Sequence, residues 1–172
     1  KTTTPADLVK DLPGDNEAKA ETIDNNLQHE IVKKMSSNPV YYGKLSEMLK
    51  KIIMQRKVAA MSYQEYLKQV VEMAEAILHP EDNGDYPDEV KNSAARRALF
   101  DYFEEDLELT VDVDGAIRIA IRPAWKKNRQ KQQKIRLAIY EKLLLHSYSK
   151  DKAEEETNQV FDIAQRQEEY DA

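Results

Sequence analysis

The chain has 172 residues, 41% of them hydrophobic, enough for one core of moderate size, so a single domain is the expectation. Its 26 Lys and Arg against 32 Asp and Glu give a net charge of -6, which excludes nucleic-acid binding over the whole surface, a mode that needs excess positive charge. The absence of cysteine excludes disulfides, thiolate zinc sites and cysteine nucleophiles and fits a reducing cytoplasm, while apolar runs of the size of Leu143-Leu144-Leu145 fall far short of the roughly 18 residues that span a bilayer.

The opening Lys1-Thr2-Thr3-Thr4-Pro5 has no initiator methionine and no apolar stretch behind it, and reads as a cut inside a longer chain. Residues 1–15 read as a lead-in linker with a short helix, and 16–172 as one all-α, irregular bundle of about seven or eight helices. After Pro13-Gly14, positions Ala20, Ile23, Leu27 and Ile31 recur at spacings of three and four, one face of a helix over 16–35 capped by Asp15 or Asn16. Asn38-Pro39 is a cap followed by a first-turn proline, and opens a helix to about Ala59 with Tyr42, Leu45, Met48, Leu49, Ile52 and Ile53 expected inward. Ser62 with Glu65 is a capping box, after which Tyr66, Val70, Met73 and Ile77 form a stripe stopped by His79-Pro80. The acidic stretch 81–87 is a loop, and 89–103 reads as one further helix carrying Val90, Ala94, Ala98 and Tyr102.

Residues 107–121 have two readings. Leu107, Leu109, Val111 and Val113 alternate up to Asp114-Gly115, then Ile117, Ile119 and Ile121 follow, the pattern of a β-hairpin. The same residues place Leu109, Val113, Ala116, Ile117, Ala120 and Ile121 on one helical stripe, at a cost of about 1 kcal/mol for Gly115. Residues 128–146 are helical in pattern, and Ser149 caps a last helix reaching Tyr170 with Val160, Phe161 and Ala164 buried. Charge is segregated: Arg118, Arg122, Lys126, Lys127, Arg129, Lys131, Lys134 and Arg136 come without one acid among them, whereas the stretch from Asp151 onward is acidic.

Known catalytic patterns find no match. None of Gly14, Gly43, Gly84 or Gly115 begins a phosphate-cradling loop, and no serine stands in a nucleophile elbow. Asp112-Val113-Asp114-Gly115 has letters of a calcium loop, but alignment on Gly115 puts Ile121 where the bidentate glutamate belongs. Asp88, Glu89 and Lys91 carry the letters of a nuclease metal site, yet within one turn they cannot converge on one ion. His29, His79 and His146 stand apart without ligand spacing, so no catalytic, cofactor or metal residue is expected.

Several motifs are nevertheless distinctive in their order. They are Ala20-Glu21-Thr22-Ile23 with Asn25-Asn26, then 38–46 (NPVYYGKLS), Tyr63 with Tyr66-Leu67, Tyr86-Pro87, 94–99 (AARRAL), Trp125 with Asn128, and Gln167 with Tyr170. In that order and over almost the whole chain, they resemble the helical C-terminal region of the R (restriction, motor) subunit of type I restriction enzymes. The chain departs at Lys127, where that family often has glycine, and in its β-branched run 111–121.

The resemblance implies a parent polypeptide with a magnesium-dependent nuclease and ATP-driven DNA translocase domains, and assigns ATP and magnesium to that parent rather than to this part. It further implies a helical module that docks the motor onto the methyltransferase and specificity subunits, and it favours helix over 107–121. On this reading Tyr41, Tyr63 and Trp125 are candidate partner anchors, each with the alternative of a core role. The basic residues Lys126, Lys127, Arg129, Lys131, Lys134 and Arg136 are candidate DNA contacts, the alternative being that they pair with the acidic last helix. At 100° per residue, 127, 131 and 134 share one face while 129 and 136 share another.

Overall fold

The computed structural model describes residues 14–171, so the expected lead-in linker over 1–15 lies almost wholly outside the described residues. Eight α-helices and no strand occur among them. The chain divides between Asp85 and Tyr86 into two compact units, each with its own apolar core, where the length suggested one. The boundary falls inside the acidic loop.

Among the described residues the first unit holds three α-helices, α1 (Asn16–Lys34), α2 (Pro39–Lys57) and α3 (Tyr63–Leu78), each packed on the other two. Asp15 Oδ1 accepts from the Ala18 amide at 2.9 Å and Asn38 Oδ1 from the Tyr41 amide at 3.1 Å, satisfying first-turn donors. The capping box forms in both directions: Ser62 Oγ accepts from the Glu65 amide and Glu65 Oε2 from the Ser62 amide. Ile23, Leu27, Ile31, Leu49, Val70 and Ile77 make the core. Beside it, Arg56 Nη2 donates to Asp24 Oδ2 at 2.8 Å and the Tyr66 hydroxyl to Asp24 Oδ1 at 2.7 Å, so this buried carboxylate is paired. Burial, then Asp24, push the Tyr66 phenol well above its usual range.

The second unit holds α4 (Asp88–Lys91), α5 (Ala94–Tyr102), α6 (Leu107–Ala120), α7 (Arg129–Leu145) and α8 (Lys150–Arg166), with 3-10 turns at Trp125–Lys127 and Glu168–Tyr170. The most extensive packing is of α6 on α7 and α7 on α8. The single helix expected over 89–103 is broken, because Ser93 Oγ takes the Arg96 amide and starts a new helix there. The last helix likewise stops at Arg166, where Gln167 turns extended and its buried amide donates to the Ile163 carbonyl.

Residues 107–120 are helical. Asp106 caps α6 by accepting from the Leu109 amide at 3.0 Å, and Leu109, Val113 and Ile117 are buried at four-residue spacing, while Ile119, inward in a hairpin, is 76% exposed. No described helix is long and apolar enough to cross a membrane.

Candidate functional site

The three aromatic candidates separate. Trp125 is 1% exposed and lies edge-on to Phe161, with Nε1 donating to the Tyr170 carbonyl at 2.6 Å. It is a core residue and not a surface anchor, since the fold already satisfies both its apolar area and its donor. Tyr63 is half-buried and stacks on Tyr66 at 6.0 Å. Tyr41, also half-buried, donates its hydroxyl to the Ala76 carbonyl at 2.9 Å and borders an open cleft between α2 and α3.

That cleft, about 910 Å³, was not legible in advance. Leu45, Ile52 and Met73 form its buried floor, Lys44 and Lys51 stand on the α2 edge, and Lys68 and Glu72 stand on the α3 edge. Met48, expected inward, is 51% exposed in it. The six apolar positions of α2 spread over about 140° of arc, and Met48 sits at one end of it, beyond what the two neighbouring helices cover.

The basic segment is partly spent on the fold. Arg118 Nε donates to Asp114 Oδ1 at 2.8 Å, and Arg122 Nη1 turns back on the Ile119 and Ile121 carbonyls. Lys126 pairs with Asp171 and donates to the Gln167 carbonyl; Lys131 Nζ donates to the Pro123 carbonyl at 2.6 Å. Arg136 lies on the Phe161 ring, its guanidinium carbon 3.8 Å from the centroid, and donates to Asn158 Oδ1. Pairing with the acidic C-terminal stretch therefore occupies only Arg118, through Glu169, and Lys126, through Asp171, while Arg122, Lys131 and Arg136 turn to carbonyls and Asn158. Lys127, Arg129 and Lys134 stay exposed, with no hydrogen bond or ion pair among the described residues.

Lys126, Lys127, Arg129 and Arg136 line a groove of about 830 Å³ between α7 and α8, with Glu154 its one acid. Thr157 also lines it, only 6% exposed, with its hydroxyl making no hydrogen bond. An unpaired hydroxyl at such a place favours a polar occupant, because leaving it dry and unbonded is costly. Only its position opposite α7, fixed by tertiary packing, gives Thr157 this role, so local sequence carried no signal for it.

One further constellation escaped the sequence reading. Asp114, buried to 0% exposure, receives Arg96 Nε at 2.7 Å, Arg118 Nε at 2.8 Å and the Tyr170 hydroxyl at 2.7 Å. Burial pushes its carboxyl up, but the bonds from Arg118, Arg96 and Tyr170 outweigh it and hold the carboxyl below the ordinary aspartate range. Glu169 extends the network, accepting from Arg118 Nη2 and Ser93 Oγ. With every donor engaged and the carboxylate sealed from solvent, its chemistry is that of a structural tie.

The calcium-like letters 112–115 therefore lie within a helix, with Asp114 inward and Asp112 Oδ2 paired with His146 Nε2 at 3.0 Å. His79, Glu81 and Asp82 bring one ligand atom each within 4.8 Å of one another on the turn after α3, an open surface group rather than an enclosed cage. Compared with known protein families, curated proteins and solved structures, the chain matches none.

Proposed function

We propose that this chain is a helical assembly module of a type I restriction enzyme motor subunit, docking the ATP-dependent translocase and endonuclease onto its methyltransferase and specificity subunits. The order of motifs from Ala20 to Tyr170 supports the family assignment. The observation that carries docking is the α2–α3 cleft, with half-exposed Met48 and half-buried Tyr41 over an apolar floor. On this reading the chain acts in the cytoplasm and carries no catalytic centre, while ATP and magnesium serve the parent's other domains.

The test is size-exclusion chromatography with mass detection on the chain mixed with its methyltransferase–specificity core, with and without a DNA duplex. Co-elution with the core in the absence of DNA is the expected result. A chain that ignores the core but shifts with DNA at low salt removes the docking reading.

That second outcome would favour a DNA-contacting module that follows the duplex backbone with Lys127, Arg129 and Lys134. The observation favouring it is the exposure of these three cations, of which Lys127 and Arg129 line the α7–α8 groove. Phosphate contacts weaken steeply as salt rises, whereas an apolar protein interface does not, so a salt titration separates the two.

A further inference from the structure

We infer that the α2–α3 cleft receives a single amphipathic α-helix of the partner, seated on Tyr41 and Met48 above the floor of Leu45, Ile52 and Met73, with acidic side chains facing Lys44 and Lys51. The inference rests on the docking reading and specifies its occupant.

The shape comes first. Its lining on α2 runs from Tyr41 to Gln55, 14 residue steps, which at 1.5 Å per step is a trough about 21 Å long, the length of a four-turn helix. Along it, Tyr41, Lys44, Met48, Lys51 and Gln55 alternate at spacings of three and four, so one straight edge of α2 faces the trough throughout. The floor of Leu45, Ile52 and Met73 lies below, buried by the unit's own packing. A partner's apolar stripe at i, i+4 and i+7 would cover Met48, whose unbranched thioether adapts to irregular surfaces.

Charge selects the flank. Lys44 and Lys51 are seven residues apart and therefore lie on the same edge two turns apart, about 10.5 Å. Neither they nor Lys68 makes an ion pair among the described residues. Two acids line the cleft, Glu65, whose carboxylate is turned to the Ser62 amide, and Glu72, so three lysines face two glutamates and the lining keeps a positive excess on the α2 edge. A helix with acids spaced seven apart complements this edge, and one with lysines there is repelled.

The experiment uses the full chain and two designed helical peptides of about four turns with the same leucine stripe, one with glutamates and one with lysines on the flank. Amide shifts in ¹⁵N–¹H spectra report the site. The acidic peptide is expected to shift the amides of Tyr41, Lys44, Met48, Lys51 and Lys68 and to bind about tenfold more tightly than the basic one. Met48→Glu should abolish binding, and the double variant Lys44→Glu with Lys51→Glu should reverse the preference. Equal binding of both peptides, no binding, or shifts confined to 126–136 overturns the inference. With the methyltransferase–specificity core, co-elution that survives Met48→Glu and the double variant removes the cleft but keeps docking. Peptide binding without core binding keeps the cleft and removes the proposed partner.

Discussion

The Tyr170 hydroxyl donates to Asp114 Oδ1 at 2.7 Å across 56 residues of sequence, which ties the last turn of the chain to the inward face of α6. Arg96 and Arg118 complete the shell of this carboxylate from α5 and α6. Tyr170→Phe removes one donor to a charged acceptor and should cost about 1.5–3 kcal/mol. Asp114→Ala leaves two guanidinium groups and a buried phenol without their acceptor and should cost about 3–5 kcal/mol. Urea unfolding followed by circular dichroism measures both, and equal midpoints for wild type and Tyr170→Phe would remove the tie.

The same carboxylate sets a pH dependence. Its folded pKa lies below its unfolded value of about 3.9, so it contributes stability that is fully present above that pH and is lost as pH falls toward the depressed folded value. Glu169 and Glu156 are also depressed: burial raises each, and for Glu169 the bonds from Ser93 and Arg118, for Glu156 those from Lys152 and Tyr102, outweigh it, so they act in the same direction. Stability measured from pH 6 down to about 3 should therefore fall, and Asp114→Asn should flatten the fall below pH ~4 while lowering stability at neutral pH.

Trp125 is the chain's one tryptophan and it is enclosed, so its fluorescence reports packing in the second unit. Trp125→Ala should cost about 3–5 kcal/mol, as expected for an emptied aromatic site in a core. A substitution that leaves the melting temperature unchanged and weakens partner docking would return Trp125 to the surface.

Gly115 lies in α6, and a methyl group built on it meets no atom within 4 Å. Gly115→Ala should therefore raise stability by about 0.5–1 kcal/mol, through helix propensity and a less free unfolded chain. Thermal melting checks the sign, and a lowered midpoint would show that the position needs glycine.

Helix starts were the most legible part of this sequence. Asp15, Asn38, Ser62 and Ser149 each cap a helix as the sequence indicates, because a cap depends only on a side chain and an amide three residues on. The break at Asn92-Ser93 was hidden by Val90, Ala94 and Ala98, whose four-residue spacing continues across it. Residues 107–121 fitted both a strand pattern and a helix stripe, and the Asp106 cap with burial at 109, 113 and 117 decides for helix.

The sites were less legible than the helices. Trp125 could face a partner or a core until Phe161 and Tyr170 were placed against it. Lys126, Lys131 and Arg136 looked like available charge because their acceptors, Gln167, Pro123 and Asn158, are brought up by tertiary packing and turns. Asp114 drew notice only as part of a hairpin turn and of a failed calcium loop, since its partners stand 18, 4 and 56 residues away.

During synthesis, Asp114 and its two arginines emerge from the ribosome well before Tyr170. Until that phenol arrives, the carboxylate lacks one of its three donors, and Trp125 lacks the carbonyl that takes its indole proton. The second unit therefore closes its polar interior only once synthesis has passed Tyr170, whereas the ties of the first unit, among Asp24, Arg56 and Tyr66, need only residues up to 66.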